Sequence, residues 1–347
     1  MSGIPTMKAI RIHAHGGLDQ LRIDELPRPT PGPGQVLVEM KAAALNMLDL
    51  WVRRGIPGVP LPVILGSDGA GIVRELGAGA AQFKVGDEVL LHPGSGCGMC
   101  GDCLNGREHY CPKYAILGEH HDGVMAEYVA IGEQHLIRKP VNIGFEEGAA
   151  IPLVTLTAWE MVVNKGAIKP WSTVLVWGAS SGVGSMAVQI ARAYGARVIA
   201  TAGTAKVERA RTLGADFVLD HYTQDVAKEI KQLTGGRGCD LIIDHTGVKT
   251  WGASTRSLAK GGRLVVCGST TGPEVSMDLR FLYIRQQSIL GSTMGSRGDM
   301  VPILKLVEAG KLRGIVDRIF PFAEIATAHE YLETGKHFGK VILKIGS

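Results

Sequence analysis

The sequence predicts an α/β protein with two domains, one rich in short strands and one built on a doubly wound parallel sheet. At 347 residues the chain exceeds the size at which a single hydrophobic core stops growing. Short apolar runs separated by Pro/Gly clusters fill residues 7–150, which is typical of a barrel-like or sandwich-like domain. Between residues 173 and 291, six further runs recur roughly every 19–25 residues, so each interval has room for a crossover helix.

Composition narrows the class of protein. Hydrophobic residues make up 45% of the chain and charged residues 20%, which indicates a globular protein and excludes a disordered one. The net charge is +4 without any basic run, so no nucleic-acid partner is predicted. Met1–Thr6 shows no secretory signal, and glycines interrupt the long uncharged run 170–191, so we predict no membrane span. Four of the six cysteines fall between Cys97 and Cys111, which favours a metal site and a reduced, cytoplasmic setting.

In the first domain, six apolar runs are predicted to be strands and Asn46–Arg54 a short helix. The predicted strands are Lys8–Ile12, Val36–Ala43, Gly71–Leu76, Glu88–His92, Glu127–Ile131 and His135–Lys139. A helical pattern from Phe145 to Lys165, broken at Pro152, then leads into the second domain.

In the second domain, six strands alternate with helical intervals, of which Lys206–Leu213 and Ala227–Leu233 are the clearest. The strands are Thr173–Trp177, Arg197–Ala202, Asp216–Asp220, Asp240–His245, Arg263–Cys267 and Gln287–Gly291. Two more helices (Met300–Ala309 and Glu324–Thr334) and a strand (Lys340–Ile345) are too few for a third domain. We therefore predict a discontinuous first domain, 1–152 with 296–347, around a second domain at 153–295.

The stretch Thr173–Arg192 reads as a buried strand, a small-residue turn and an amphipathic helix, the start of a dinucleotide-binding unit. Its spacing is imperfect, because Ala179 and Ser181 stand where G-x-G-x-x-G has glycines. Close packing alone also favours glycine in such turns, but the six-strand context favours nucleotide binding. The predicted cofactor-binding residues are Ser180, Ser181, Gly182, Val183, Gly184, Gly203, Lys206 and Gly268.

The residues that follow Arg197–Ala202, the second predicted strand of the second domain, bear on the choice of cofactor. An NAD site usually has an acidic residue there for the ribose hydroxyls. Here the chain reads Thr201–Lys206 without a carboxylate, and Arg209 follows. A solvated helix face is the alternative interpretation of Lys206 and Arg209, but the pattern predicts NADP(H) over NAD(H).

The cysteines Cys97, Cys100, Cys103 and Cys111 have the spacing C-x₂-C-x₂-C-x₇-C. Four thiolates at this spacing suit one tetrahedral Zn²⁺, and a Cys₄ site is closed, so its role is structural. An iron–sulfur cluster and free structural cysteines are the alternatives.

Together these motifs resemble the zinc-type alcohol dehydrogenase/quinone oxidoreductase family of medium-chain dehydrogenases. The resemblance rests on the Cys97–Cys111 loop, Leu65–Gly71, Val85–Val89, Ala126–Tyr128 and the later nucleotide sheet. It implies a GroES-like catalytic domain, a Rossmann domain and hydride transfer in the cleft between them. It also implies a homodimer or homotetramer, in which the apolar strand Ser288–Leu290 pairs between subunits.

The chain departs from this family at the catalytic zinc. The three positions that hold the family's Cys, His and Cys ligands are Asn46, Ser67 and Leu153 here, and Asp68 stands in the place of the family's Glu. Three such residues would not hold zinc firmly. The Asn46/Asp49 pair and Ala150–Leu153 resemble instead the quinone oxidoreductase branch, which acts without a catalytic metal.

The sequence therefore predicts an NADP(H)-dependent oxidoreductase that transfers hydride to a small quinone, enone or aldehyde/ketone without catalytic zinc. Asn46, Ser67 and His120 are the candidates to stabilise charge on the substrate oxygen, although His120 reads equally well as a polar loop residue. Asp49 and Asp68 are expected to hold loops. One alternative is an alcohol dehydrogenase with an atypical metal site at Asp68, His92 or His120; another is an inert nucleotide-binding protein.

Overall fold

The computed structural model describes residues 5–346, so most of the Met1–Thr6 stretch lies outside the described residues. The chain forms two compact units. One contains the described residues up to Leu153, Ser296–Leu304 and the residues from Arg313 onward; the other contains Val154–Gly295 and Lys305–Leu312. Compared with the predicted domain limits, residues 305–312 group with the second unit.

The first unit is built mainly of antiparallel strands. Its strands, numbered in chain order, are β1 (Thr6–Ile12), β2 (Arg22–Pro27), β3 (Gln35–Ala44), β4 (Val63–Ile64), β5 (Asp68–Leu76), β6 (Glu88–Leu91), β7 (Gly94–Ser95), β8 (Ala115–Ile116), β9 (Tyr128–Gly132), β10 (Leu136–Arg138), β17 (Val316–Pro321) and β18 (Lys340–Lys344). Its helices are α1 (Met47–Arg54), α2 (Gly101–Leu104), α3 (Phe145–Ala149) and α11 (Ile325–Glu333), and the division between units falls within α10 (Met300–Glu308).

The main sheet of this unit has the order β10-β6-β5-β3-β18-β17, with β9 also pairing with β3. The six strands predicted here and the strand at Lys340 are confirmed within a few residues, whereas β2, β17 and the two-residue strands β4, β7 and β8 were missed. β2 buries none of its residues and β17 only one, so the apolar signal of these two longer strands is weak. Because β18 pairs with β3, Lys340 at the start of β18 comes close to residues that follow β3.

The second unit contains one parallel sheet. Its strands are β11 (Thr173–Val176), β12 (Arg197–Ala202), β13 (Phe217–Asp220), β14 (Cys239–Asp244), β15 (Leu258–Val266) and β16 (Ser288–Gly291). Its helices are α4 (Pro152–Trp159, beginning at the unit boundary), a π-helical turn (Glu160–Lys165), α5 (Gly182–Ala193), α6 (Val207–Arg211), α7 (Val226–Leu233), α8 (Val248–Ser257) and α9 (Leu279–Ile284).

The strand order of this sheet is β13-β12-β11-β14-β15-β16 with every pair parallel, the doubly wound order. All four residues of β11 are buried, as expected for a central strand covered on both faces. The chain order reverses between β11 and β14, and ligands of such sheets bind beyond the carboxyl ends of the strands at that point.

Each unit has its own hydrophobic core. The first is centred on residues such as Ile10, Val38 and Leu343, and the second on residues such as Leu175, Ile242 and Leu264. Among the described residues, no helix combines the length and apolar character needed to cross a bilayer.

Candidate active site

The turn between β11 and α5 has the features of a pyrophosphate-binding turn. Gly178 has φ +58°, which glycine adopts without strain. A Cβ on Gly184 would lie 2.2 Å from the Gly178 carbonyl oxygen, so only glycine permits this close packing of helix on turn. Ser181 is the N-cap of α5, and its Oγ accepts from the Gly184 N–H at 2.9 Å. Gly182 and Val183 begin the helix, whose leading N–H groups have no acceptor inside it.

A histidine from the next strand contacts this turn. His245, directly after β14, has Nε2 3.0 Å from Ser181 Oγ. Burial lowers the pKa of His245, which favours the neutral ring. Since Ser181 Oγ already accepts from Gly184, its hydroxyl is free to donate to Nε2. The contact therefore links the segment after β11 with the segment after β14, the two strands between which the chain order reverses. A Cβ on Gly268 would lie 3.1 Å from the His245 carbonyl oxygen.

Buried Asp244 anchors the residues that follow β14. Its Oδ1 accepts from the Thr246 N–H and the Thr250 hydroxyl, each at 2.9 Å, and its Oδ2 accepts from the Ser254 hydroxyl at 2.8 Å. Ser254 in turn accepts from Trp177 Nε1 at 2.8 Å. This buried carboxylate therefore holds the rim of the sheet in a fixed shape.

The end of β12 is lined by residues from the neighbouring β13. A Cβ on Gly203 would lie 2.7 Å from the Tyr222 ring, so Tyr222 packs over this glycine. The pKa of His221 is lowered by burial and further by the charge of Lys206. The pKa of Asp220 is lowered chiefly by a hydrogen bond from Thr204. Sequence reasoning missed these three residues, because it considered only the segment directly after β12.

The four cysteines of the loop converge. Their sulfur atoms all lie within 4.8 Å of one another, and Cys97 Sγ is 4.0 Å from Cys103 Sγ. Four sulfurs around a tetrahedral zinc at about 2.3 Å would be separated by about 3.8 Å, so the cluster fits Zn²⁺ after small adjustments. Gly98, at φ +76°, permits the turn between Cys97 and Cys100.

The pKa values of the thiols in this cluster also favour the binding of a metal cation. Backbone N–H groups of Met99 and Cys100 lower the pKa of Cys97 to about 6. The pKa of Cys103 is raised to about 12, first by burial and then by the neighbouring thiols. Without a bound cation the thiols therefore cannot all ionise together, and a divalent metal relieves this repulsion.

In the first unit, a buried polar network surrounds Asn46. Lys340 Nζ donates to Asn46 Oδ1 and lies 3.1 Å from Asp68 Oδ2. Asn46 Nδ2 donates to the same Asp68 Oδ2 at 2.9 Å. The Lys340 side chain is 4% exposed and the Asp68 side chain 0%. Sequence reasoning missed Lys340, since a lysine at the start of a strand gives no signal that it turns inward.

Two carboxylates brace this network. Asp68 Oδ1 accepts from the Leu153 N–H at 2.8 Å. Asp49 accepts from the Asn46 N–H at 2.7 Å and from the Gly66 N–H at 3.1 Å. Burial raises the pKa of Asp49 to about 6, while Lys340 opposes that increase. The network thus ties together α1, β5 and the segment at Leu153.

The other two predicted catalytic residues have different surroundings. The Ser67 hydroxyl is buried and donates to the Leu117 carbonyl oxygen at 2.7 Å. His120 lies on a surface turn with its side chain 42% exposed, and its Nδ1 accepts from the Ile116 N–H at 3.2 Å. Their catalytic roles stay predictions.

Comparisons with known proteins match the whole chain. A family model for an alcohol dehydrogenase GroES-like domain matches residues 32–141, and one for a zinc-binding dehydrogenase matches residues 182–309. A zinc-type alcohol dehydrogenase-like protein of Schizosaccharomyces pombe is 34% identical over 97% of this chain and 99% of its own length. The chain belongs to the medium-chain dehydrogenase/reductase superfamily.

Other members of the superfamily differ in their named activities. A crotonyl-CoA carboxylase/reductase of Cereibacter sphaeroides is 30% identical, covering 95% of this chain and 84% of its own. The crystal structure of an NAD-dependent alcohol dehydrogenase superposes with a TM-score of 0.95 at 48% identity, covering 98% of this chain and all of that one. The predicted α/β class, with a GroES-like and a Rossmann domain, is confirmed. This medium-chain dehydrogenase/reductase is an NAD(P)-dependent oxidoreductase.

Asp68, His92 and His120, the residues of the alternative metal site, do not form a converging group of ligands in the part of the chain that the structure describes. Across residues 5–346, the four cysteines form the one group in which at least three Cys, His, Asp or Glu ligand atoms converge. Asp68 is engaged with Lys340 and Asn46. Buried His92 has its Nδ1 2.7 Å from the Gly94 carbonyl oxygen, while His120 is on the surface.

Proposed function

We propose that this enzyme is an NADP(H)-dependent reductase that transfers hydride to a quinone, an enone or an aldehyde/ketone, with one structural zinc in the cysteine loop and no catalytic zinc. The observation that carries the proposal is the Asn46–Asp68–Lys340 network. Asn46, by resemblance a metal-ligand position, has its amide oxygen occupied by a lysine ammonium. A cation already neutralises the acidic side chain beside it.

The cofactor turn suits the diphosphate of a nicotinamide dinucleotide, which when bound supplies the hydride. The α5 N-terminus offers N–H groups and a positive dipole end, and Ser181 fixes its first turn. Lys206, whose charge helps to lower the pKa of His221, places a cation near Gly203 that suits a 2′-phosphate. Asp220 opposes this preference, because hydrogen bonds from Thr204 and the Tyr222 N–H lower its pKa and keep its carboxylate charged.

At the substrate, hydride addition to an electrophilic carbon moves an electron pair onto the oxygen, which must be stabilised and then protonated. Asn46 Nδ2 carries two hydrogens and gives one to Asp68, so one remains for that oxygen. The Ser67 hydroxyl hydrogen is used by Leu117, which makes Asn46 the stronger candidate. His120 stays the candidate for the final proton transfer.

A second candidate function is an NAD-dependent alcohol dehydrogenase. Asp220 favours it, because a carboxylate beside Gly203 suits unphosphorylated ribose. The 48% identical structure carries that name.

The test is steady-state oxidation of NADPH and NADH against a panel of one quinone, one enone and one aldehyde, together with zinc analysis of the purified protein. We expect turnover with at least one acceptor, a lower KM for NADPH than for NADH, and one zinc per chain. Two zinc ions per chain with NAD-linked alcohol oxidation would establish the second candidate instead. Tight NADPH binding without turnover of any acceptor would indicate an inert nucleotide-binding protein.

A further inference from the structure

We propose that Lys340 is a positioning residue that fixes the orientation of the Asn46 side-chain amide so that its N–H, and not its oxygen, is available to the substrate oxygen. This inference rests on the proposed function in assigning Asn46 to the substrate. It adds a residue from β18, far along the chain from Asn46.

The chemistry of the two partners determines the orientation. A lysine ammonium is only a donor, and an ionised carboxylate is only an acceptor. Lys340 Nζ contacts Oδ1 of Asn46, and Asp68 Oδ2 lies 2.9 Å from Nδ2. Turning the amide over would set Nδ2 against the ammonium and Oδ1 against the carboxylate, so both contacts oppose the flip.

Asp68 and Lys340 act together in holding the Asn46 amide in this orientation. Asp68 selects one Nδ2 hydrogen, but its other oxygen is used by the Leu153 N–H, and its charge needs a countercharge at full burial. Lys340 provides that countercharge and occupies the Asn46 oxygen. Without Lys340 only the Asp68 contact opposes the flip, and an amide that turns over points a lone pair at the developing oxyanion and raises the barrier to hydride transfer.

The chain offers a matched control in another buried lysine. Lys139 is also 4% exposed, and its ammonium lies 3.1 Å from the Pro140 oxygen, 2.5 Å from the Ile143 oxygen and 3.0 Å from Glu88 Oε2. It belongs to the same unit and makes none of the contacts of the Asn46 network. Lys139→Met therefore tests what the loss of a buried ammonium does by itself.

The experiment is a double-mutant cycle on kcat with the best acceptor. We expect Lys340→Met to lower kcat by about 10²-fold, the effect of losing one oxyanion donor, with KM for the acceptor changed less than threefold. Asn46→Ala should lower kcat similarly, and Asn46→Ala/Lys340→Met should be no worse than Asn46→Ala. Lys340→Arg should recover most of kcat, and Lys139→Met should leave it unchanged.

A second readout does not depend on turnover. The Asn46 side-chain amide signal, assigned by its loss in Asn46→Ala, should exchange with solvent at least tenfold faster in Lys340→Met, while Lys340→Arg and Lys139→Met retain slow exchange. If Lys340→Met does not fold, Asp68→Asn/Lys340→Met removes both charges and is compared with Asp68→Asn, so that the difference still reports the loss of Lys340.

The outcomes separate the two proposals. Additive effects of Asn46→Ala and Lys340→Met on kcat, or unchanged amide exchange in Lys340→Met, would overturn the positioning role while the reductase stands. An absence of turnover in the wild-type enzyme would overturn the proposed function, and the exchange measurement would still decide whether Lys340 holds the amide.

Discussion

The cysteine loop and the Asn46 network lie in the same unit and deal with charge in opposite ways. The loop brings four thiols within 4.8 Å of one another, and the guanidinium of its Arg107 is paired with Asp102 at 2.8 Å. The network gathers Asp49, Asp68 and Asn46 around the ammonium of Lys340. One site needs a cation from outside the chain, and the other has its own.

The difference shows what makes a residue cluster a metal site. Thiols whose charges repel one another cannot all ionise until a metal binds, and metal binding then supplies folding free energy to the loop. A buried carboxylate that already has a lysine and several N–H donors gains little from a metal. Position within a family is therefore a weaker guide to metal binding than the local balance of donors and acceptors.

The largest expected effect comes from removing the metal ligand Cys111. Cys111→Ser should abolish zinc binding and lower the thermal midpoint by several degrees, because the Cys97–Cys111 loop has little core of its own. Zinc analysis and thermal denaturation measure both effects. Cys239→Ala, at a buried cysteine in β14, is the control and should keep one zinc per chain. A variant lacking Cys111 that retains full zinc and stability would show that the cluster is not a closed site.

The next largest effect is expected from removing Asp68, the carboxylate that pairs with the buried ammonium of Lys340. Asp68→Leu strands the buried ammonium of Lys340 and should lower the free energy of unfolding by about 3–5 kcal/mol. Asp68→Leu/Lys340→Met should recover much of this loss in urea denaturation. Glu88→Gln is the control, since the Glu88 side chain is 49% exposed and its pair with Lys139 should contribute at most about 1 kcal/mol. Equal losses in Asp68→Leu and Glu88→Gln would contradict the internal-cation interpretation.

A smaller effect should appear in the pH dependence of stability. The pKa of Asp49 is about 6 in the folded protein against an ordinary 3.8, so the folded state holds this proton more tightly. The resulting stabilisation is complete below about pH 4 and is lost as pH rises through 6, a change of about 3 kcal/mol. Asp49→Asn removes this term, so its stability relative to wild type should rise over that range in urea denaturation. Parallel pH profiles for the two proteins would disprove the assignment.

The smallest expected effect is at the cofactor turn, which needs no metal or ion pair. Ser181→Ala removes the cap of α5 and its contact with His245, which should cost about 1 kcal/mol and raise the KM for NADPH several-fold. Asp225→Ala removes the cap of α7 and serves as control, with a similar stability loss and an unchanged KM. A KM for NADPH that does not change in Ser181→Ala would separate this residue from cofactor binding.

The parts of the fold with strong local patterns could be predicted from sequence. The β11–α5 turn, all six strands of the parallel sheet and the cysteine loop follow from apolar periodicity, glycine positions and cysteine spacing within short segments. The exposed strands β2 and β17 could not, because their pairing depends on neighbours and not on their own residues.

The same limit applies to the sites. Asn46 and Asp68 could be selected by resemblance, but Lys340 reaches them only through the pairing of β18 with β3. Likewise, His221 and Tyr222 reach the end of β12 only because β13 is its neighbour. Residues that are brought together only by sheet topology cannot be paired from the sequence alone.

The separation of 294 positions between Lys340 and Asn46 affects the order in which the chain can fold during synthesis. A ribosome delivers Asn46, Asp49 and Asp68 early, together with most of the strands around them. Those acids cannot be sealed from water until β18 has emerged and brought its ammonium, because a buried carboxylate without a countercharge is strongly unfavourable. We therefore expect the first unit to stay hydrated at this point during synthesis while the nucleotide-binding unit is translated, and to close when β18 arrives.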